Sequence, residues 1–74
     1  MNAAGILEAL GGRENVVELE SCITRLRAQV KDPERVDEAA MKEAGAFGTA
    51  IHGHSVQVVV GPDADDVRAA ISAL

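Results

Sequence analysis

Three segments of the chain have apolar residues at the spacing of an amphipathic helix. These are Ile6, Leu7 and Leu10; Ala40, Met41 and Ala44; and Val67, Ala70, Ile71 and Leu74. The pair Gly11-Gly12 can end the first helix, and Gly45 can end the second. Asp37 is placed to cap the second helix and Asp63 the third. The sequence therefore predicts three short helices.

Four segments alternate instead between apolar and polar residues, which is the pattern of a half-buried strand. They cover residues 15–19, 24–30, 46–51 and 55–60. In the first of them, Val17 and Leu19 are expected to share one face opposite Glu18. The segment 20–23 connects the first two strands and places Cys22 at a turn. His52-Gly53-His54 connects the last two, and Gly53 gives the conformational freedom of a tight hairpin.

The predicted order is helix, hairpin, helix, hairpin, helix, and each hairpin has one apolar and one polar face. This pattern predicts an α+β fold: a four-stranded antiparallel sheet from two hairpins with three helices packed on one face. The other face, which carries Arg25, Arg27, Gln29 and Gln57, is left for solvent or for a partner. A length of 74 residues leaves room for one core, so we expect a single domain over residues 1–74.

Composition narrows the possible partners and compartments. The formal net charge of -5, from twelve acidic residues against seven Lys and Arg, argues against a nucleic-acid partner. The single cysteine cannot form an internal disulfide, which favours a reducing compartment such as the cytoplasm. Residues 1–12 have neither a basic start nor a long apolar run, so we expect no signal peptide and no direct membrane insertion.

The segment Cys22-Ile23-Thr24-Arg25-Leu26-Arg27 is the best candidate for chemistry. In a strand Arg25 and Arg27 point the same way, and no acidic residue lies between Ser21 and Asp32. Cations beside a thiol favour the nucleophilic thiolate, and the Thr24 hydroxyl with free turn amides could hold a tetrahedral oxyanion. The alternative is a cysteine that serves as a small buried hydrophobe beside solvated arginines. The residues alone leave both interpretations open.

The same segment also carries a family resemblance. Asn15-Val16, five further residues, and then Cys22-Ile23-Thr24-Arg25-Leu26-Arg27 are similar to the phosphorylation-site signature of enzyme IIB domains of the bacterial phosphoenolpyruvate-dependent sugar phosphotransferase system. The likeness extends to Gly11-Gly12, Asp32-Pro33 and Gly61-Pro62. Ser21 before the cysteine resembles the glucose and N-acetylglucosamine branch, because a His is common there in the sucrose and β-glucoside branch.

The resemblance implies a phosphocarrier. Enzyme IIA would donate a phosphoryl group from a phosphohistidine to Cys22, and Cys22 would pass it to a sugar held by the membrane-embedded enzyme IIC. Arg25 and Thr24 lie where the family binds the phosphoryl group, Arg27 where it assists onward transfer, and Ile23 and Gln57 beside the site. The implied protein is a monomer that works at the inner face of the cell membrane through enzyme IIC. It needs no metal and no cofactor beyond the transient phosphoryl group.

Two further hypotheses come from other classes of function. A regulatory module of the same fold would signal through the phosphorylation state of the cysteine. A thiol redox sensor is disfavoured because the chain has no resolving cysteine. His52 and His54 depart from the family pattern. We interpret both as exposed turn residues, since two histidines without further ligands make a poor metal site.

Overall fold

The computed structural model describes residues 1–74 and contains three helices and four strands. The helices are α1 (Ala3–Ala9), α2 (Glu38–Glu43) and α3 (Ala64–Ser72), and the strands are β1 (Val16–Cys22), β2 (Arg25–Val30), β3 (Gly48–His52) and β4 (Ser55–Val59). Short 3₁₀ turns at Arg13–Asn15 and Pro33–Arg35 complete the chain. The predicted order of elements is confirmed.

The four strands form one antiparallel sheet in the order β1-β2-β4-β3. The β2 strand alternates strictly between exposed and buried residues, with Leu26, Ala28 and Val30 on the buried side. The buried side chains of β4, Val56 and Val58, lie beside them. The helices cover this apolar face, as the α+β prediction required, and the other face of the sheet is open.

The core is aliphatic, and its largest fully buried apolar side chains are Ile6, Leu10, Leu26, Met41, Val56 and Val58. One polar residue, Asn15, is also fully buried. Its amide Nδ2 donates to the carbonyls of Leu10 (2.7 Å) and Asp32 (3.0 Å), and its Oδ1 accepts from the Asp32 N–H at 2.9 Å. Asn15 therefore joins the end of α1 to the segment that follows β2.

The sequence predicts aspartate caps at the N-termini of α2 and α3, and the structure has one of the two. The Asp37 side chain accepts a hydrogen bond from the Ala40 N–H at 3.0 Å and caps α2 as predicted. Asp63 occupies the cap position of α3, but its side chain makes no capping hydrogen bond. Ala70 and Leu74 are both exposed, and Leu74 lies beyond the end of α3, so their expected place on the apolar side of that helix was wrong.

The first strand differs most from the prediction. A bulge between Val16 and Glu18 shifts the register and turns Val17 outward, where it is 60% exposed. The expectation that Val17 shares a buried face with Leu19 was therefore wrong. The strand also continues through Cys22 rather than ending at Leu19, and this leaves a connection of only two residues, Ile23 and Thr24. Cys22 is the last residue of β1 rather than part of a longer turn.

Candidate functional site

Cys22 lies on the open face of the sheet, at the end of an edge strand. It is exposed, and the register pairs it directly with Arg25 across the β1–β2 hairpin. Directly paired residues have Cβ atoms about 4.5–5.5 Å apart, whereas diagonal neighbours are about 7–8 Å apart. Arg27, two residues further along β2, is therefore a diagonal neighbour of Cys22 on the same face. The structure brings together the cysteine and both arginines that the sequence singled out.

Gln57 holds Arg25 in place from the next strand. It pairs with Arg27 in the register of β2 and β4, and its Oε1 accepts a hydrogen bond from Arg25 Nη1 at 3.1 Å. An amide that accepts from one guanidinium nitrogen fixes the direction of the planar group and leaves its other donors free. The Arg25 guanidinium is thus held from β4, on the side of β2 away from Cys22, and keeps its other donors free.

The loop after Cys22 has an unusual backbone. Ile23 has a φ of +57°, the only positive φ at a non-glycine residue in the chain. A two-residue hairpin with positive φ at its first position normally has Gly there, and a β-branched residue in this region is strained. The backbone N–H groups of Ile23 and Thr24 donate to no backbone carbonyl. Two free amide donors therefore lie immediately after Cys22.

The loop is tied to the rest of the molecule on both sides of Cys22. On one side, the Thr24 carbonyl accepts hydrogen bonds from the N–H groups of Val60 (2.9 Å) and Gly61 (3.0 Å). On the other side, the Ser21 hydroxyl donates to Asp65 Oδ1 in the first turn of α3. These anchors hold the end of β1 although the thiol itself is exposed.

A shallow depression of about 200 Å³ is lined by Cys22, Ile23, Thr24, Arg25 and Arg27. Its lining carries two permanent positive charges and no acidic residue. Glu20 lies on the same face, opposite Arg27 in the register, but outside the depression. Guanidinium groups, free amides and a hydroxyl around a thiol make a site suited to a small tetrahedral anion.

The other predicted features lie away from this depression. His52 and His54 are both exposed at the β3–β4 turn, at the opposite end of the sheet, and His54 Nδ1 lies 3.0 Å from the Val30 carbonyl. No group of three or more His, Cys, Asp or Glu residues is arranged to hold a metal ion. None of the helices has the length and apolar character needed to cross a membrane.

Sequence reasoning missed one feature of the site and misjudged the length of the loop beside it. The hydrogen bond from Ser21 to Asp65 joins residues 44 positions apart, and no local pattern indicates it. The free turn amides were predicted, but the hairpin loop that carries them was predicted too long, because Glu20 and Ser21 are polar and resemble a turn. The alternation of exposed Glu18, Glu20 and Cys22 is the signal that could have extended the strand.

Comparison with known proteins gives the chain a family context. A family model for the EIIB component of the phosphotransferase system matches residues 4–37, which include Cys22 and both arginines. The N-acetylglucosamine-specific EIIB component of a phosphotransferase system from Streptomyces coelicolor is 52% identical over 69 residues. That match covers 93% of this chain and 90% of the relative.

Two further proteins extend the comparison. The maltose-specific EIICB component from Escherichia coli K12 is 47% identical over 68 residues, which are 90% of this chain but only 13% of that protein. Among solved structures, one domain of the IIabc component of a phosphotransferase system from Clostridium difficile superposes with a TM-score of 0.71. That match covers 99% of this chain and 84% of the other, and its 21% identity makes it evidence for the fold alone.

Proposed function

This chain belongs to the EIIB family of the phosphotransferase system, whose members are sugar phosphotransferase components, and we propose that it carries the phosphoryl group on Cys22. In this proposal a phosphohistidine of enzyme IIA is the donor, and a sugar bound by the membrane component enzyme IIC is the acceptor. The observation that carries the proposal is the exposed Cys22 thiol directly opposite Arg25, which Gln57 orients.

In the first transfer, Cys22 Sγ attacks the phosphorus as a thiolate. The S–P bond forms, the N–P bond of the phosphohistidine breaks, and the imidazole leaves with its electron pair. Such a transfer requires positioning and neutralisation of the equatorial oxygens more than acid–base groups. In this proposal Arg25, the Thr24 hydroxyl and the N–H groups of Ile23 and Thr24 supply them; all three residues line the depression, and the two N–H groups donate to no backbone carbonyl.

In the second transfer, a sugar hydroxyl oxygen attacks the same phosphorus and the S–P bond breaks. The Cys22 thiolate leaves, and the hydroxyl proton passes to a base on the membrane component. Arg27, the diagonal neighbour of Cys22, makes no hydrogen bond comparable to that of Arg25 and is free to meet the phosphoryl group as it departs. Its role is to assist delivery.

The proposed sugar belongs to the glucose and N-acetylglucosamine class, in line with the name of the Streptomyces relative. The Escherichia relative is maltose-specific at nearly the same identity, so the choice of sugar rests on the enzyme IIC partner rather than on this domain. That relative is an EIICB component, in which EIIC and EIIB belong to one chain. Contact with enzyme IIC would place this domain at the inner face of the membrane.

Intact mass spectrometry tests the proposal. The chain is incubated with phosphoenolpyruvate, the general phosphotransferase proteins and an enzyme IIA of the glucose or N-acetylglucosamine type. We expect the mass of one added phosphoryl group, lost completely in Cys22→Ser because a serine hydroxyl is a far poorer nucleophile at neutral pH. Cys22→Ser should stay folded, since the side chain is exposed. A Cys22→Ser protein that still gained the phosphoryl group would refute the assignment.

A further inference from the structure

The two edges of the sheet differ in how well they are protected. β1 forms one edge and β3 the other. β1 has a bulge between Val16 and Glu18 and exposes the charged side chains of Glu18 and Glu20, and both devices keep foreign strands from pairing. β3 (Gly48–His52) has no Asp, Glu, Lys, Arg or Pro, and it pairs with β4 without a register shift. Only the β3 edge is therefore an open template for another strand.

The outer backbone groups of β3 have no partner within the chain. β3 pairs with β4 alone. No residue from Gly48 to His52 takes part in a backbone hydrogen bond outside this ladder. The N–H and C=O groups that point away from β4 therefore face solvent, and a strand laid against them would make hydrogen bonds that the fold leaves unmade.

The segment around β3 is complementary to its own copy. An antiparallel pairing centred on Ala50 brings large residues opposite small ones. Its pairs, each between one copy and the other, are Ala50 with Ala50, Thr49 with Ile51, Gly48 with His52, and Phe47 with Gly53. Directly opposite side chains are close neighbours, so this alternation of size lets them pack without a clash, and no pair joins like charges. An interface with two-fold symmetry requires such self-complementarity.

The surface beside β3 has the matching shape. Thr49 and Ile51 are half-buried on the helix side of the strand. A depression of about 200 Å³ opens beside Thr49, lined also by Lys42 and Ala46. In the pairing centred on Ala50, Ile51 of the second copy lies opposite Thr49 and reaches this depression, and symmetry repeats the contact at the other end.

Phe47 gives the same segment a second apolar contact. It is the only aromatic residue of the chain, and its side chain is 77% exposed just before β3 begins. No atom lies within 4 Å of where a Cβ on Gly53 would be, so the surface there is open. The Phe47 ring of one copy can therefore cover Gly53 of the other, an arrangement that stabilises glycines at sheet edges.

We propose that β3 is the interface of a homodimer, in which two copies pair their β3 strands antiparallel about Ala50 and form one eight-stranded sheet. This state differs from the monomer that the family resemblance implies. Two strands of five residues form a small interface, below the roughly 1,200 Å² of stable complexes, so the dimer is weak and reversible. The two β1 strands lie at the outer edges, seven strand spacings or roughly 34 Å apart. Cys22 of each copy stays open, and the interface does not depend on the proposed function.

Sedimentation velocity of the unphosphorylated chain tests the proposal, with a reducing agent present so that Cys22 cannot cross-link two copies. The concentration is varied about tenfold on either side of an expected Kd of about 0.1 mM. The wild type should pass from the 7.7 kDa monomer to the dimer. Ala50→Lys and Ala50→Glu each set like charges face to face across the axis, and each should raise the Kd about tenfold or more. Mixed in equal amounts, the two variants should pair at least as tightly as the wild type.

The controls separate pairing from damage to the fold. Ala50 is exposed, so both variants should keep the far-UV circular dichroism of the wild type. Val17→Lys adds the same charge to an exposed side chain at the other edge and should leave the Kd unchanged. A wild type that stays monomeric over the whole range overturns the proposal. So does a dimer that the charges at Ala50 do not weaken, or a failure of the two variants to pair when mixed.

Discussion

Replacement of the buried amide of Asn15 should remove a large part of the free energy of unfolding. Asn15→Ala deletes both donors and the acceptor of a fully buried side chain, and it leaves the carbonyl of Leu10 and both backbone groups of Asp32 without these partners. Each such hydrogen bond contributes about 1 kcal/mol net, so the three together correspond to about 3 kcal/mol. A domain of this size has a total stability of roughly 4–11 kcal/mol.

Asn15→Asp separates hydrogen bonding from the loss of volume. The new side chain keeps the acceptor for the Asp32 N–H but turns a second oxygen toward two carbonyl oxygens that Nδ2 contacted at 2.7 and 3.0 Å. Burial and these carbonyls raise the pKa of the introduced carboxyl above its unfolded value. A raised folded-state pKa favours the native state at low pH and disfavours it as pH rises. The deficit relative to the wild type should therefore be smaller at pH 4 than at pH 7.

Urea denaturation followed by far-UV circular dichroism is the appropriate assay, since the chain has neither Trp nor Tyr for fluorescence. With a slope of about 1 kcal/mol per molar urea, Asn15→Ala should lower the midpoint by roughly 3 M. Asn2→Ala is the matched control, because it removes the same side chain from an exposed helix cap that accepts one bond from the Gly5 N–H. Asn2→Ala should lower the free energy of unfolding by about 1 kcal/mol. Equal losses in the two variants would refute the argument.

Two further predictions concern the hairpin. Arg27→Lys should form phosphocysteine within about twofold of the wild-type rate but deliver it to sugar about tenfold more slowly, because lysine lacks the planar fork that holds two oxygens. An assay that measures phosphocysteine and sugar phosphate separately checks this prediction. An Arg27→Lys protein that already failed to form phosphocysteine would contradict it. Ile23→Gly should raise the free energy of unfolding by about 1 kcal/mol through relief of the positive φ. Chemical denaturation measures this, and a loss of stability would show that Ile23 is not strained.

The periodicity of the sequence predicted each helix and strand because those elements bury one continuous apolar face. Leu26, Ala28 and Val30 alternate without interruption, and β2 has the predicted course apart from its first residue. Prediction failed where pairing between strands overrides local preference. The bulge at Val17 arises from the register with β2, and no property of Val17 itself indicates it.

The site was predictable in its composition but not in its geometry. The sequence placed two arginines near Cys22, since residues two apart on a strand share a face. It did not show which of the two lies nearer the sulfur; the two-residue loop folds Arg25 back to lie directly opposite Cys22, and Arg27 becomes the diagonal neighbour. The orientation of Arg25 depends on Gln57, 32 residues away, and such contacts follow from the order of strands in the sheet.

The position of Cys22 at the end of an edge strand suits the two transfers proposed for it. A thiol that must meet two different proteins in turn cannot lie in a deep pocket, because each partner has to reach the same sulfur. Exposure, however, removes the packing that would hold a buried group in place. The structure compensates with backbone and side-chain anchors on both sides, from Thr24 to Gly61 and from Ser21 to Asp65. The hydrogen-bonded sheet then presents Arg25 and the free loop amides on either side of the hairpin turn before any partner arrives, and such preorganisation is what the proposed stabilisation of a phosphoryl group requires.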